Sequence, residues 1–216
     1  MSVLYDNIQR VAAPLLNHLM RQWEEEGITI SDTIWQAAIT FVHSSSMCIR
    51  HGLLPFKVLY RLHLSVSKLA KCYPGLDPTC IRCSRDPASL SHMFWLCPKL
   101  APFWTGIFQT FLYMCNTAVD ANPLTALFGM VTQETRITTD QAEAVAFSTL
   151  LARRLILFSW KKAAPPSHKR WVEEVMSHLK LEQLKHTTRG SIAKYYKVWQ
   201  PFLSYFENKF SNIKTT

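Results

Sequence analysis

Cys80, Cys83, His92 and Cys97 fall within eighteen residues in the pattern Cys-x2-Cys-x8-His-x4-Cys. Three cysteines and one histidine are the donors of a closed tetrahedral zinc site, and bringing them to one point forbids a single regular element through 80–97. Cys-x2-Cys fits a tight turn whose amides point at both sulfurs. His92 and Cys97 are five apart, about 140° out of phase on an ideal helix. They are therefore predicted at a helix end, and Pro98 biases Cys97 away from helical dihedrals. No other histidine or carboxylate has comparable spacing. Four protein ligands leave no open position for water or substrate, so the expected zinc is structural.

The rest of the chain supplies the frame for this knuckle. With 216 residues, 48% of them hydrophobic, it can bury a core, and only six glycines with long runs free of turn signals favour helices. The predicted fold is mostly α, with a small CCHC knuckle inserted between helices. The opening Met-Ser-Val-Leu-Tyr-Asp has no basic flank leading into an apolar run. A reducing, cytoplasmic or nuclear setting is expected rather than secretion, with Cys48, Cys72 and Cys115 as free thiols buried in apolar surroundings. The most apolar window, 142–160, carries Glu143 and Arg153-Arg154, which suits a core helix and not a membrane span.

Periodicity and caps divide the chain into a helical segment 1–79, the zinc-binding segment 80–115 running into a helix, and a helical, basic segment 116–216. Predicted helices cover 8–23, 33–50, 55–63, 65–73, 138–162, one beginning after Ser167, and 190–210. Gly52 and Pro55 are expected to break the second from the third. Residues 161–216 hold eleven Lys/Arg against four Asp/Glu, so most of the +9 net charge lies in the tail.

An acidic partner is expected to meet the C-terminal third first, and the basic residues upstream read equally as phosphate contacts or as a solvated helix face. Lys57, Arg61 and Lys68 would align on one face of a continuous helix, beside Tyr60 and near Arg50 and Lys71. The tail 194–209 interleaves lysines with aromatics, though Trp199 and Phe202 read as core. Glu24-Glu25-Glu26 and Glu173-Glu174 read as solvated helix faces. No phosphate-cradling glycine loop and no nucleophile with a nearby base is present, so the chain is not expected to be an enzyme.

The run Cys80-Ile-Arg-Cys83-Ser-Arg-Asp-Pro-Ala-Ser-Leu-Ser-His92-Met-Phe-Trp95-Leu-Cys97-Pro98-Lys-Leu-Ala-Pro102-Phe103-Trp104 resembles the zinc-binding segment near the C-terminus of LINE-type, non-LTR retrotransposon reverse transcriptases. The likeness extends over 30–206. It takes in Trp35, Arg50 to His63 with Lys57 and Arg61 four apart, Leu150 to Arg154 followed by Trp160-Lys161, Pro165-Pro166-Ser167 with Trp171, and Trp199-x-Pro201-Phe202-Leu203. Ser65-Val66 stands where family members often have Thr-Pro. The resemblance implies a segment that holds RNA, or single-stranded or target DNA, beside a polymerase. Arg82, Arg85 and Lys99 would surround the knuckle, and Trp95 would either stack on a base or pack with Phe94 under the zinc. The family's catalytic cores are not in this chain: its aspartates, Asp6, Asp32, Asp77, Asp86, Asp120 and Asp140, include no adjacent pair to hold two metal ions. A different reading makes the chain a zinc-stapled scaffold whose partner is the polymerase portion.

Overall fold

A computed structural model describes residues 18–44, 49–85, 87–132 and 135–211, and among them the chain is helical apart from turns and one isolated β-bridge. The helices are α1 (18–25), α2 (Asp32–Ser44), α3 (Ile49–Leu59), α4 (Val66–Cys72), α5 (Ala101–Cys115), α6 (Pro123–Phe128), α7 (Thr139–Phe158), α8 (His168–Thr188) and α9 (Ile192–Ser211). A π turn (His92–Leu96) and a 3-10 turn (Pro98–Leu100) lie between α4 and α5. The mostly helical class with the Cys/His cluster set between helices is the one the sequence predicts. No described helix is long and apolar enough to cross a membrane. Of the predicted helix 8–23, residues 8–17 lie outside the described residues.

One continuous apolar core runs from Trp23 to Phe206, and α7 is its axis. Every residue from Ala144 to Arg153 is buried, so the middle of this helix is enclosed on all sides, and it packs against α3, α6, α8 and α9. Thr138 opens it with a capping box closed by Gln141. Ser65 and Ser167 cap α4 and α8, each hydroxyl accepting from the amide three residues on, Lys68 N–H and Arg170 N–H. Gly106 lets α5 approach α8 closely, since a Cβ there would sit 2.8 Å from the His168 ring.

Gly52 and Pro55 do not break a helix; both lie inside α3. A helix-interior proline costs about 3 kcal/mol, but burying Leu54, Val58 and Leu59 gains about 2 kcal/mol each, so packing outweighs it. The helix ends at Leu59, and Arg61, two residues beyond, adopts φ 54°. Leu62 N–H donates to Lys57 O (2.8 Å) and Arg61 N–H to Val58 O (3.0 Å), a Schellman pair with arginine where glycine is usual. The backbone strain, of order 1 kcal/mol, is met by the side chain: Arg61 lies 4.4 Å over the Trp23 ring and pairs with Glu26. The continuous stripe expected from Lys57 through Arg61 to Lys68 is therefore interrupted.

Four indole N–H groups tie this frame together. Trp23 donates to Leu59 O, Trp104 to Phe94 O, Trp160 to Leu64 O and Trp171 to Ser148 O, at 2.9–3.1 Å. The Trp104 indole anchors the knuckle from α5, and the Trp160 indole ties the segment following α7 to the one preceding α4.

Candidate metal centre

The first half of the knuckle is a turn closed by Ser84 N–H on Cys80 O (2.8 Å), with Ser84 at φ 55°. It is gripped on both flanks by the bridge Thr79↔Pro87 and by Ala88 N–H on Pro78 O (2.7 Å). Asp77 accepts from the Thr79 amide at 2.9 Å and from its hydroxyl, and these bonds hold its carboxyl below the ordinary range.

The second half solves the five-residue spacing by a different route from the predicted helix end. His92–Leu96 is a single π turn, and Cys97 N–H donates to His92 O at 3.1 Å. This wider turn brings residues i and i+5 to one side. Arg82 Nη1 donates to Met93 O (2.7 Å) and Trp104 Nε1 to Phe94 O (2.9 Å), which fixes the turn from outside.

The four donor atoms converge. Cys80 Sγ lies 3.9 Å from Cys97 Sγ, Cys83 Sγ lies 3.3 Å from His92 Nε2, and all four lie within 4.8 Å of one another. A tetrahedron with 2.3 Å metal–sulfur bonds has edges of about 3.8 Å. A sulfur pair at 3.9 Å is far beyond the 2.05 Å of a disulfide. Cys80, Cys97 and His92 are buried and Cys83 half-buried. The cluster could thus hold a metal ion such as zinc.

The electrostatics fit a bound cation. Burial, together with the Cys80 and Cys83 sulfurs, pushes the Cys97 thiol up to about 11. A thiol so placed resists ionisation unless a divalent ion offsets its charge. A divalent ion held by three thiolates and a neutral histidine carries one net negative charge. The buried Arg82 guanidinium stands beside those sulfurs: burial lowers its pKa and Cys80, Cys97 and Cys83 raise it, while its Nη2 reaches Ser159 O at 3.3 Å and its Nε has no partner. Burying a cation without an anion costs several kcal/mol. The thiolate cluster is the anion Arg82 lacks elsewhere. Arg82→Met is expected to weaken metal affinity by about 10- to 100-fold, measured by competition with a chromophoric chelator; unchanged affinity would remove the counter-charge role.

The other residues singled out from sequence are placed as follows. Arg85 and Lys99 are exposed at the knuckle's edge, and Lys68 is exposed on α4. Lys57 is half-buried in α3, and Arg50 belongs to α3 with a side chain outside those described. Trp95 is half-buried against Trp104 (5.7 Å) and Phe108 (6.2 Å), a packing role. Arg61 and Arg82 point inward, to Glu26 and to the π turn. Of the three other cysteines, Cys115 is buried, its thiol pushed up to about 11 by that burial, while Cys72 is exposed and Cys48 lies outside the described residues.

Two glutamates that the sequence reading placed on solvated helix faces are not there: Glu174 is buried in α8 and pairs with Arg154 of α7, and Glu26 bears on the knuckle. One Glu26 carboxylate oxygen pairs with Arg61 and the other accepts from Ser91 N–H at 2.8 Å, while Ser91 Oγ donates to Glu26 O at 3.3 Å. Ser91 immediately precedes the ligand His92, so this carboxylate clamps the end of α1 to the knuckle. No model of a known protein family matches the chain.

Proposed function

We propose that the chain is a zinc-stapled, non-catalytic helical module that binds nucleic acid, RNA or single-stranded DNA, in the manner its resemblance to the C-terminal segment of LINE-type reverse transcriptases implies. The convergence of Cys80, Cys83, His92 and Cys97 carries this reading. Four protein donors complete a tetrahedron and leave the metal no catalytic position, so its contribution is to hold the knuckle in shape. Lys68, Lys71, Arg85 and Lys99, all exposed, are the cations that can meet phosphates around it. The expected binding is electrostatic. With four such contacts on a single strand, log K should fall against log salt with a slope of about −3, read by fluorescence anisotropy of a labelled RNA. Absence of binding at low salt, or binding indifferent to salt, would contradict it.

A protein partner is the second reading, favoured by apolar side chains that the knuckle leaves outside. Ile81 and Leu96 lie between the ligands and are 49% and 48% exposed, and the exposed Phe158 adjoins Ser159, whose carbonyl accepts from Arg82 of the knuckle. The polymerase portion of a related reverse transcriptase is the partner this reading names. Salt-insensitive association with that portion, abolished by Ile81→Lys, would favour it over nucleic acid.

A further inference from the structure

Between the end of α1, the turn after α3, and α4 lies a cleft of about 270 Å³. Its walls carry Arg61, His63, Ser67, Lys68 and Lys71, with Glu25 and Glu26 on the α1 side. Three polar atoms here, Arg61 Nη1, His63 Nε2 and Ser67 Oγ, are buried without a hydrogen-bond partner within the protein. Each such orphan is costly, and three around one cleft mark a place where a hydrogen-bonding group belongs.

The charges say which group. Glu26 is spent, one oxygen on Arg61 and the other on Ser91. Among the described residues Lys68 and Lys71 enter no ion pair. The cleft therefore offers two uncommitted ammonium groups, a hydroxyl and a guanidinium edge against one exposed carboxylate, Glu25. Several donors around a small space are the complement of a compact, multiply accepting anion, and a phosphoryl group matches them best. We propose that this cleft seats a phosphate group of a nucleotide strand, held by Ser67, Lys68, Lys71 and the free edge of Arg61. The proposal rests on the nucleic-acid reading for the source of the phosphate, and on the cleft alone for its chemistry. It also gives the buried Nη1 of Arg61 a partner while Nη2 is bound to Glu26.

The test titrates the full chain with inorganic phosphate, with a short single-stranded RNA bearing a 5′-phosphate, and with the same RNA ending in a 5′-hydroxyl. Ser67→Ala, Lys71→Gln and Glu25→Gln are compared with wild type, and Lys180→Gln, on α8, which packs against α5, α7 and α9, serves as a charge control away from the cleft. Ser67→Ala changes no charge and removes an unpaired hydroxyl, so its melting temperature should not fall. Phosphate affinity should drop about tenfold in Ser67→Ala and Lys71→Gln, rise in Glu25→Gln and stay unchanged in Lys180→Gln. Loss confined to the 5′-phosphorylated RNA places a strand end in the cleft; equal loss with both RNAs places an internal diester there. Wild-type affinities in Ser67→Ala and Lys71→Gln would overturn the proposal while RNA binding itself stood. Phosphate binding that depends on Ser67 and Lys71, in a chain that binds neither RNA, would instead keep the cleft and overturn the nucleic-acid reading.

Discussion

Withdrawing the metal is expected to unfold the centre of this protein, and Cys97→Ser should do the same. The four ligands are threaded through the core: Ala88, Leu90, Met93, Phe94 and Leu100, all within or beside the knuckle, are at most 2% exposed. Phe94 packs against Trp160 at 5.0 Å and lies near His63, so the π turn supports both the end of α7 and the turn after α3. Structural zinc supplies on the order of 10 kcal/mol in small finger peptides, comparable to the entire net stability of a domain, about 5–15 kcal/mol. A smaller fraction of that loss would suffice, because the buried Arg82 and the three clustered sulfurs would then stand without the offsetting ion. Circular dichroism with and without a strong chelator checks this. The melting temperature should collapse with the chelator and recover on adding zinc; a melt indifferent to chelation would show that helix packing alone holds the fold.

The second large effect belongs to Glu26. Burial opposes its ionisation, but the bonds from Ser91 and the charge and bond of Arg61 outweigh burial, so its pKa is lowered from 4.5. A carboxylate whose folded pKa lies below its unfolded one contributes stability that is fully present above the unfolded value and lost as pH falls through the folded one. Glu26→Gln is therefore expected to destabilise the protein at neutral pH and to flatten the acid limb of its stability profile below about 4.5. The expected loss is about 2–3 kcal/mol. That is less than for a fully buried pair, since the Glu26 and Arg61 side chains retain 20% and 12% of their exposure. Acid also protonates the metal ligands, and the difference between wild type and variant, both metal-loaded and measured by urea denaturation at each pH, isolates Glu26. Parallel profiles would show that the clamp contributes nothing that titrates.

The features legible in the sequence were those written locally. Ser65, Thr138 and Ser167 each announce a helix start by residue type and position, and each is a cap. The ligand set was legible because metal donors at short spacing have few other readings. What failed was whatever depends on a distant partner. Pro55 stays helical because buried neighbours outweigh its cost, and the i to i+5 spacing of His92 and Cys97 becomes a π turn because Arg82 and Trp104 hold it. Glu26 looks like a solvated face until Ser91, 65 residues away, comes to meet it. Arg61 looks like part of a basic stripe until its backbone turns left-handed and its side chain folds back over Trp23. The short helix α6 carries only six residues, too few for periodicity to register.

The measurement that tests the account most directly is the zinc content of the purified full chain and of its Cys83→Ser variant by elemental analysis. The account predicts one zinc per wild-type chain and loss of that zinc in the variant. No zinc in the wild type, or full occupancy in Cys83→Ser, would contradict the assignment of Cys80, Cys83, His92 and Cys97 as one metal centre, and with it the structural role on which the rest depends.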